Sequence, residues 1–252
     1  MKELIKGLRE FQSGYFISHR SLFEQLAHGQ HPRVLFITCS DSRIDPNLIT
    51  QADVGELFVI RNAGNIIPPF GATNGGEGAT IEYAVNALDI QQIIICGHSH
   101  CGAIKGLLKL ETLSDKLPLV HDWLKYAEAT RQLMKESYSH LQGEDLLDLA
   151  IAENVLTQIE NLRTYPVIHT RLHQGKLSIH GWVYEIETGE VLTYDAKSHT
   201  FIPPQSQVNF AASEVPNHNA TATPSHVLHV NHDRQSWLNS DQAKRIYQGS
   251  TH

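Results

Sequence analysis

The residues best able to do chemistry fall in two short stretches, "CSDSR" at 39 to 43 and "GHSHCG" at 97 to 102. Each closes an apolar run, "VLFIT" in the first case and "QIIIC" in the second. Cys39, His98 and Cys101 make a Cys₂His donor set with His-x-x-Cys spacing. Three donors of this kind suit zinc, and stopping at three leaves a fourth position for water or substrate, as catalytic sites do. Asp41 lies two residues beyond Cys39, and Arg43 two beyond that, so in extended or turn conformation their side chains can share one space. Arg is suited to gripping a carboxylate bidentately. A carboxylate so held can orient a zinc-bound water as a hydrogen-bond acceptor, or occupy the open metal position itself. Two thiolates cancel the formal charge of zinc, so water there ionises less readily than on a three-histidine centre, where its pKa falls to about 7. Activity is expected to rise with pH above neutrality.

For one chain to bring positions 39 and 98 together, both must end strands of one sheet. "RVLFIT" (33 to 38), "LFVIR" (57 to 61) and "QIIIC" (92 to 96) read as short buried strands, apolar and rich in β-branched residues. Residues 1 to 28 carry helical spacing, as do "GGEGATIEYAVNAL", 118 to 136 and 144 to 163. "LSIHGWVYEI" (177 to 186) and "EVLTYD" (190 to 195) read as a hairpin or a closing pair of strands. Strands alternating with helices predict an α/β domain with a mainly parallel β-sheet flanked by helices. Ligands gather at the carboxyl edge of such sheets, where both motifs would emerge.

The chain has 252 residues, 41% of them hydrophobic, and a net charge of −7, which argues against a polyanion partner. No apolar run approaches the roughly 20 residues that span a bilayer, and the amino terminus lacks the apolar core of a secretory signal. That points to the cytosol or a compartment entered from it. Three cysteines make no disulfide framework, and Cys96 reads as a buried small hydrophobe. From about 203 the sequence turns polar, proline-punctuated and histidine-rich, which predicts a flexible tail over 204–252. Asn239 or Ser240 could cap a short terminal helix at about 240–248, which either frays, docks within the chain or orders on a partner.

"CSDSR", "RNAGN" (61 to 65) and "GHSHCG" together resemble the β-class carbonic anhydrases, over roughly residues 1 to 204. The resemblance implies a zinc-dependent catalytic domain at 1–203 and one Zn²⁺ per chain on Cys39, His98 and Cys101. It implies that Asp41, paired with Arg43, orients a zinc-bound hydroxide or, in a closed form, ligates the metal. It implies a small carbon dioxide pocket of Gln30, Phe58, Ala63, Gly64 and Tyr83, with Gln30 and Tyr83 supplied across a dimer interface in a homo-oligomer built from dimers. The reaction implied is reversible hydration of carbon dioxide to bicarbonate. Among sixteen histidines, His100 and His180 are candidate proton shuttles. Some bacterial members carry an inhibitory bicarbonate site of Trp, Arg and Tyr; Arg61 and Tyr184 match it, but Phe36 stands at the tryptophan position.

"HGQHPRVLFITCSDSR", "GHSHCGAIKGLLKL" and "QAKRIYQGS" further resemble the carboxysomal β-carbonic anhydrases of cyanobacteria. That resemblance implies residence within the carboxysome, docking on a carboxysome assembly protein through residues about 240–249, and supply of carbon dioxide to Rubisco. A zinc deaminase would need His-x-Glu and Pro-Cys-x-x-Cys, and a dinucleotide-dependent dehydrogenase Gly-x-Gly-x-x-Gly; this sequence has none of them. Carbon disulfide or carbonyl sulfide hydrolysis on the same fold, or a zinc-stabilised scaffold without catalysis, remain as alternatives.

Overall fold

The computed structural model describes residues 1–73 and 75–204. The expected tail helix at about 240–248 lies outside the described residues. Six strands form one sheet: β1 (Val34–Cys39), β2 (Leu57–Asn62), β3 (Gln92–His98), β4 (Ser178–Tyr184), β5 (Val191–Asp195) and β6 (Thr200–Ile202). Their order is β2-β1-β3-β4-β5-β6, with the first four parallel and the last two antiparallel. Among the described residues ten α-helices are interleaved: α1 (Lys2–Glu10), α2 (Phe16–Ser18), α3 (Arg20–Leu26), α4 (Pro46–Thr50), α5 (Gly76–Glu82), α6 (Gly102–Leu107), α7 (Pro118–Leu124), α8 (Glu128–Ser137), α9 (Gly143–Arg163) and α10 (Pro166–His173). The mainly parallel sheet flanked by helices is the expected architecture.

The strand order decides where the motifs meet. From β1 the chain moves outward to β2, and from β3 it moves the other way to β4. The connections therefore diverge between β1 and β3, which opens a crevice beyond their carboxyl ends. Cys39 ends one of these strands and His98 the other.

Side chains alternate across the sheet. Leu35, Ile37, Cys39, Ile93 and Ile95 face the main core, where α9 packs on β3 and β4. Phe36, Ile94 and Cys96 face the other side with Val34, Leu57, Trp182 and Tyr184 around them. Helix α9 is buried on nearly every face, so its apolar positions alone cannot mark one side. Gly97 lets it come close to β3, since a Cβ there would sit 2.9 Å from Val155 Cγ2.

Four details differ from the sequence reading. The helical run at 118 to 136 is broken by a 3₁₀ turn at Lys125–Ala127 between α7 and α8. Residues 1 to 28 are helical but contain a π-helical turn at Phe11–Tyr15 and a break at His19. Strand β2 is the sheet edge and only Ile60 is fully buried in it, although its composition matches that of central β1. Strand β6 and helices α4, α6 and α10 carry too few periodic residues to announce themselves.

Candidate metal centre

Cys39 is the last residue of β1, His98 the last of β3, and Cys101 the residue that precedes α6. Their ligand atoms all lie within 4.8 Å of one another, and all three residues are buried. His98 Nδ1 is 2.9 Å from the Ser99 carbonyl, which can only accept, so Nδ1 carries the hydrogen and Nε2 keeps its lone pair. Nε2 is buried and has no hydrogen-bond partner among the described residues. A buried nitrogen left without a partner facing two thiols is what a metal ligand looks like.

The two thiols are electrostatically unequal. The Cys101 hydrogen bond holds the Cys39 thiol down to about 4 against the opposing effect of burial, helped by His98 and the Gly64 N–H. The same hydrogen bond, burial and the Cys39 charge push Cys101 well above the usual thiol range. Two thiolates this close repel, so a divalent cation is the partner that would stabilise both. The donor set fits a soft or borderline ion in a tetrahedral site with one open position.

Asp41 and Arg43 form a bidentate pair beside this group. Arg43 Nε donates to Asp41 Oδ1 at 2.9 Å, Nη2 to Oδ2 at 2.8 Å, and the Arg43 backbone N–H to Oδ1 at 3.0 Å. The guanidinium holds the Asp41 carboxyl well below the usual carboxylate range. Oδ2 is 4.0 Å from His98 Nε2, which puts the carboxylate at the open side of the cluster.

Sequence reasoning gave Arg61 and Gly64 other roles and missed Asn154 and Gln158, and all four help hold these residues in place. Arg61 on β2 donates through Nε to the Cys39 carbonyl at 3.1 Å and through Nη2 to the Asp41 carbonyl at 2.7 Å. The loop 63–67 brings the Gly64 N–H to Cys39 Sγ at 3.4 Å. Gly64 has φ 82, and a Cβ there would also lie 3.2 Å from that of Ala103. The loop hangs on a polar ridge of α9: Asn154 Nδ2 donates to the Gly64 carbonyl at 3.0 Å, and Gln158 Oε1 accepts from the Ile67 N–H at 2.8 Å. Asn154 and Gln158, one helical turn apart in the middle of α9, were the available signal.

The expected pocket residues are spread out within the chain. Ala63 and Gly64 lie in the loop beside Cys39. Phe58 pairs with Leu35, four register positions before Cys39 pairs with Asn62, a separation of about 13 Å along the strand. Its ring lies 6.1 Å from that of Tyr83, which is half exposed. Gln30 lies exposed on the linker before β1. Of the candidate shuttles, His100 directly adjoins the ligands, its imidazole raised above the usual range by Glu187 and Glu144. His180 pairs with Ile94, four register positions before His98, and burial lowers its pKa. No described helix is long and apolar enough to cross a membrane.

The chain is similar to several known proteins. A family profile described as carbonic anhydrase matches residues 34–191. A carbonic anhydrase of Synechocystis sp. is 69% identical over 209 residues, covering 83% of this chain and 76% of that protein. One of Synechococcus elongatus is 53% identical and covers 99% of both chains. Among solved structures, the β-carbonic anhydrase CcaA matches at TM-score 0.81 and 69% identity, over 83% of this chain and 94% of that one. A tetrameric β-carbonic anhydrase of Sordaria macrospora matches at TM-score 0.67 and 28% identity, over 76% and 95%. The strand-end cluster and these matches agree: the chain belongs to the β-class carbonic anhydrases, enzymes of reversible carbon dioxide hydration.

Proposed function

We propose that Cys39, His98 and Cys101 hold one zinc per chain and that Asp41, gripped by Arg43, orients the attacking water. The bidentate pair with Oδ2 4.0 Å from His98 Nε2 is the observation that carries this reading. Bound there, zinc would supply the Lewis acidity that makes water a nucleophile, at a pH above neutrality because two thiolates cancel its formal charge. Asp41 remains ionised throughout the working range because Arg43 holds its carboxyl low, so it accepts an O–H from water and turns a lone pair towards carbon. Arg43 occupies both carboxylate oxygens, which keeps Asp41 an acceptor; a closed form with Asp41 on the metal requires that grip to loosen. Ala63, Gly64, Phe58, Gln30 and Tyr83 shape a small dry pocket for an uncharged substrate that offers little to grip.

The working unit is a homo-oligomer built from dimers, with Gln30 and Tyr83 entering the pocket from a second copy, and Phe58, whose ring lies beside Tyr83, entering with them. Two observations support this. No residue of α1–α3 is buried among the described residues, although Leu4, Leu8, Phe11 and Ile17 are large, apolar and exposed. The Sordaria relatives are described as tetrameric.

The cellular reading follows from the cyanobacterial likeness. The domain at 1–203 carries catalysis, and residues about 240–249 of the tail dock on a carboxysome assembly protein, so that carbon dioxide is released beside Rubisco. The support is that the Synechococcus elongatus relative matches 99% of this chain, tail included. Stopped-flow assays of carbon dioxide, carbonyl sulfide and carbon disulfide on one zinc-assayed sample test the substrate. A chain ending at 204 that still co-purifies with the assembly protein would sink the docking claim.

A further inference from the structure

A second polar arrangement adjoins the metal group. His100 sits between the ligands His98 and Cys101 with its backbone in the left-handed region, φ 53, a conformation uncommon for non-glycine residues. Its ring is held on both sides: Nδ1 lies 3.1 Å from Glu144 Oε2, and Nε2 bonds Glu187 Oε1. Glu144 stands in the first turn of α9. Glu187 follows β4 and also accepts from Ser99 Oγ at 3.1 Å, while Ser99 Oγ accepts from the Ile186 N–H at 2.9 Å. The His100 carbonyl accepts from Arg43 Nη2 at 3.3 Å, the same nitrogen that donates to Asp41 Oδ2. Contacts therefore run unbroken from α9 and the β4–β5 turn, through His100, to the Asp41–Arg43 pair.

We propose that His100 is a positioning residue: clamped by Glu144 and Glu187, it presents its carbonyl to Arg43 and so keeps Arg43 on Asp41 and the carboxylate off the metal. The inference rests on the reading of Asp41 as the group that controls the open metal position. Arg43 is about half exposed, so without the His100 carbonyl its guanidinium is free to move into solvent. Asp41 Oδ2, already 4.0 Å from His98 Nε2, then has the shorter path to the metal. One such hydrogen bond shifts the balance between the two arrangements by about fivefold. Each exposed carboxylate contributes little singly, so both must be changed to match the loss of the ring.

The test is thiocyanate titration of the cobalt-substituted protein, read by visible absorption, since the anion takes the open position only where Asp41 does not. His100→Gly tolerates the left-handed backbone without strain but removes the ring that fixes it, so the residue-100 carbonyl is free to swing off Arg43. Apparent affinity falls with the competent fraction, so His100→Gly should weaken binding measurably, by at most about fivefold. The Glu144→Gln/Glu187→Gln double variant should move the same way, and it carries the test alone if thermal melting shows that His100→Gly does not fold. Adding Asp41→Asn to His100→Gly should restore the affinity of Asp41→Asn alone. Wild-type affinity in His100→Gly or, if that does not fold, in the double carboxylate variant would overturn the proposal. So would a weakening that persists in the Asp41→Asn background. Loss of thiocyanate binding in Asp41→Asn alone would instead overturn the gate reading beneath it.

Discussion

Cys39 and Cys96 lie on neighbouring strands, one register position apart, and both are buried. They face opposite sides of the sheet, and their chemistry differs accordingly. Cys96, packed with Phe36 and Ile94, is pushed up to about 12 by burial and stays a thiol. Cys39, also buried though less deeply, is held down to about 4, chiefly by Cys101, with His98 and the Gly64 N–H helping. Burial alone makes a cysteine inert. Donors delivered by a second strand end and by the 63–67 loop reverse the sign.

The same serine substitution on the two faces should break that comparison most visibly. Because even residues that only support metal ligands cost about 10- to 100-fold when lost, Cys39→Ser should reduce zinc content and hydration by more than about 100-fold. Cys96→Ser should retain zinc and most activity, at a stability cost of about 1–3 kcal/mol for a buried hydroxyl. Metal analysis and thermal melting on both variants separate the faces, and equal zinc loss would erase the distinction. Asp41→Asn comes next: zinc stays, while kcat falls about 100-fold, the lower end for loss of one preorganised hydrogen bond at a reacting centre.

Gly64→Ala probes the donors around Cys39 without touching a ligand. Its Cβ would crowd Ala103 and strain a backbone at φ 82, costing about 1–3 kcal/mol and weakening zinc about tenfold. Chelator competition reads the second effect. The smallest effect belongs to the other face. Burial depresses the His180 pKa below its unfolded value, so the folded state binds fewer protons there. His180 therefore costs no stability above about pH 6.5, and stability is lost as pH falls through the lower folded value. His180→Gln should flatten melting temperature against pH on that acid side, and an unchanged slope would show that His180 does not contribute.

The ligand cluster was legible because Cys39 and His98 each close a strand-like apolar run, Cys101 stands three residues past His98, and strand ends in a parallel sheet converge. Asp41 and Arg43 were legible as a pair because two-residue spacing needs no long-range knowledge. The supports were hidden for the opposite reason. Arg61 acts across a strand pairing, and Asn154 and Gln158 act across 90 and 91 residues on backbone that has no sequence code. The edge position of β2 was also hidden, since "LFVIR" has the composition of a central strand and only the order of strands exposes it. The break between α7 and α8 left no proline or glycine inside the run to announce it.

The most direct test of the central claim is stopped-flow carbon dioxide hydration at mildly alkaline pH, with zinc measured on the same sample, for wild type beside Asp41→Asn. One zinc per chain in both, with hydration fast in the first and reduced about 100-fold in the second, is the predicted result. Equal hydration by the two at equal zinc would contradict the assignment of Asp41 and Arg43 to the control of the open position.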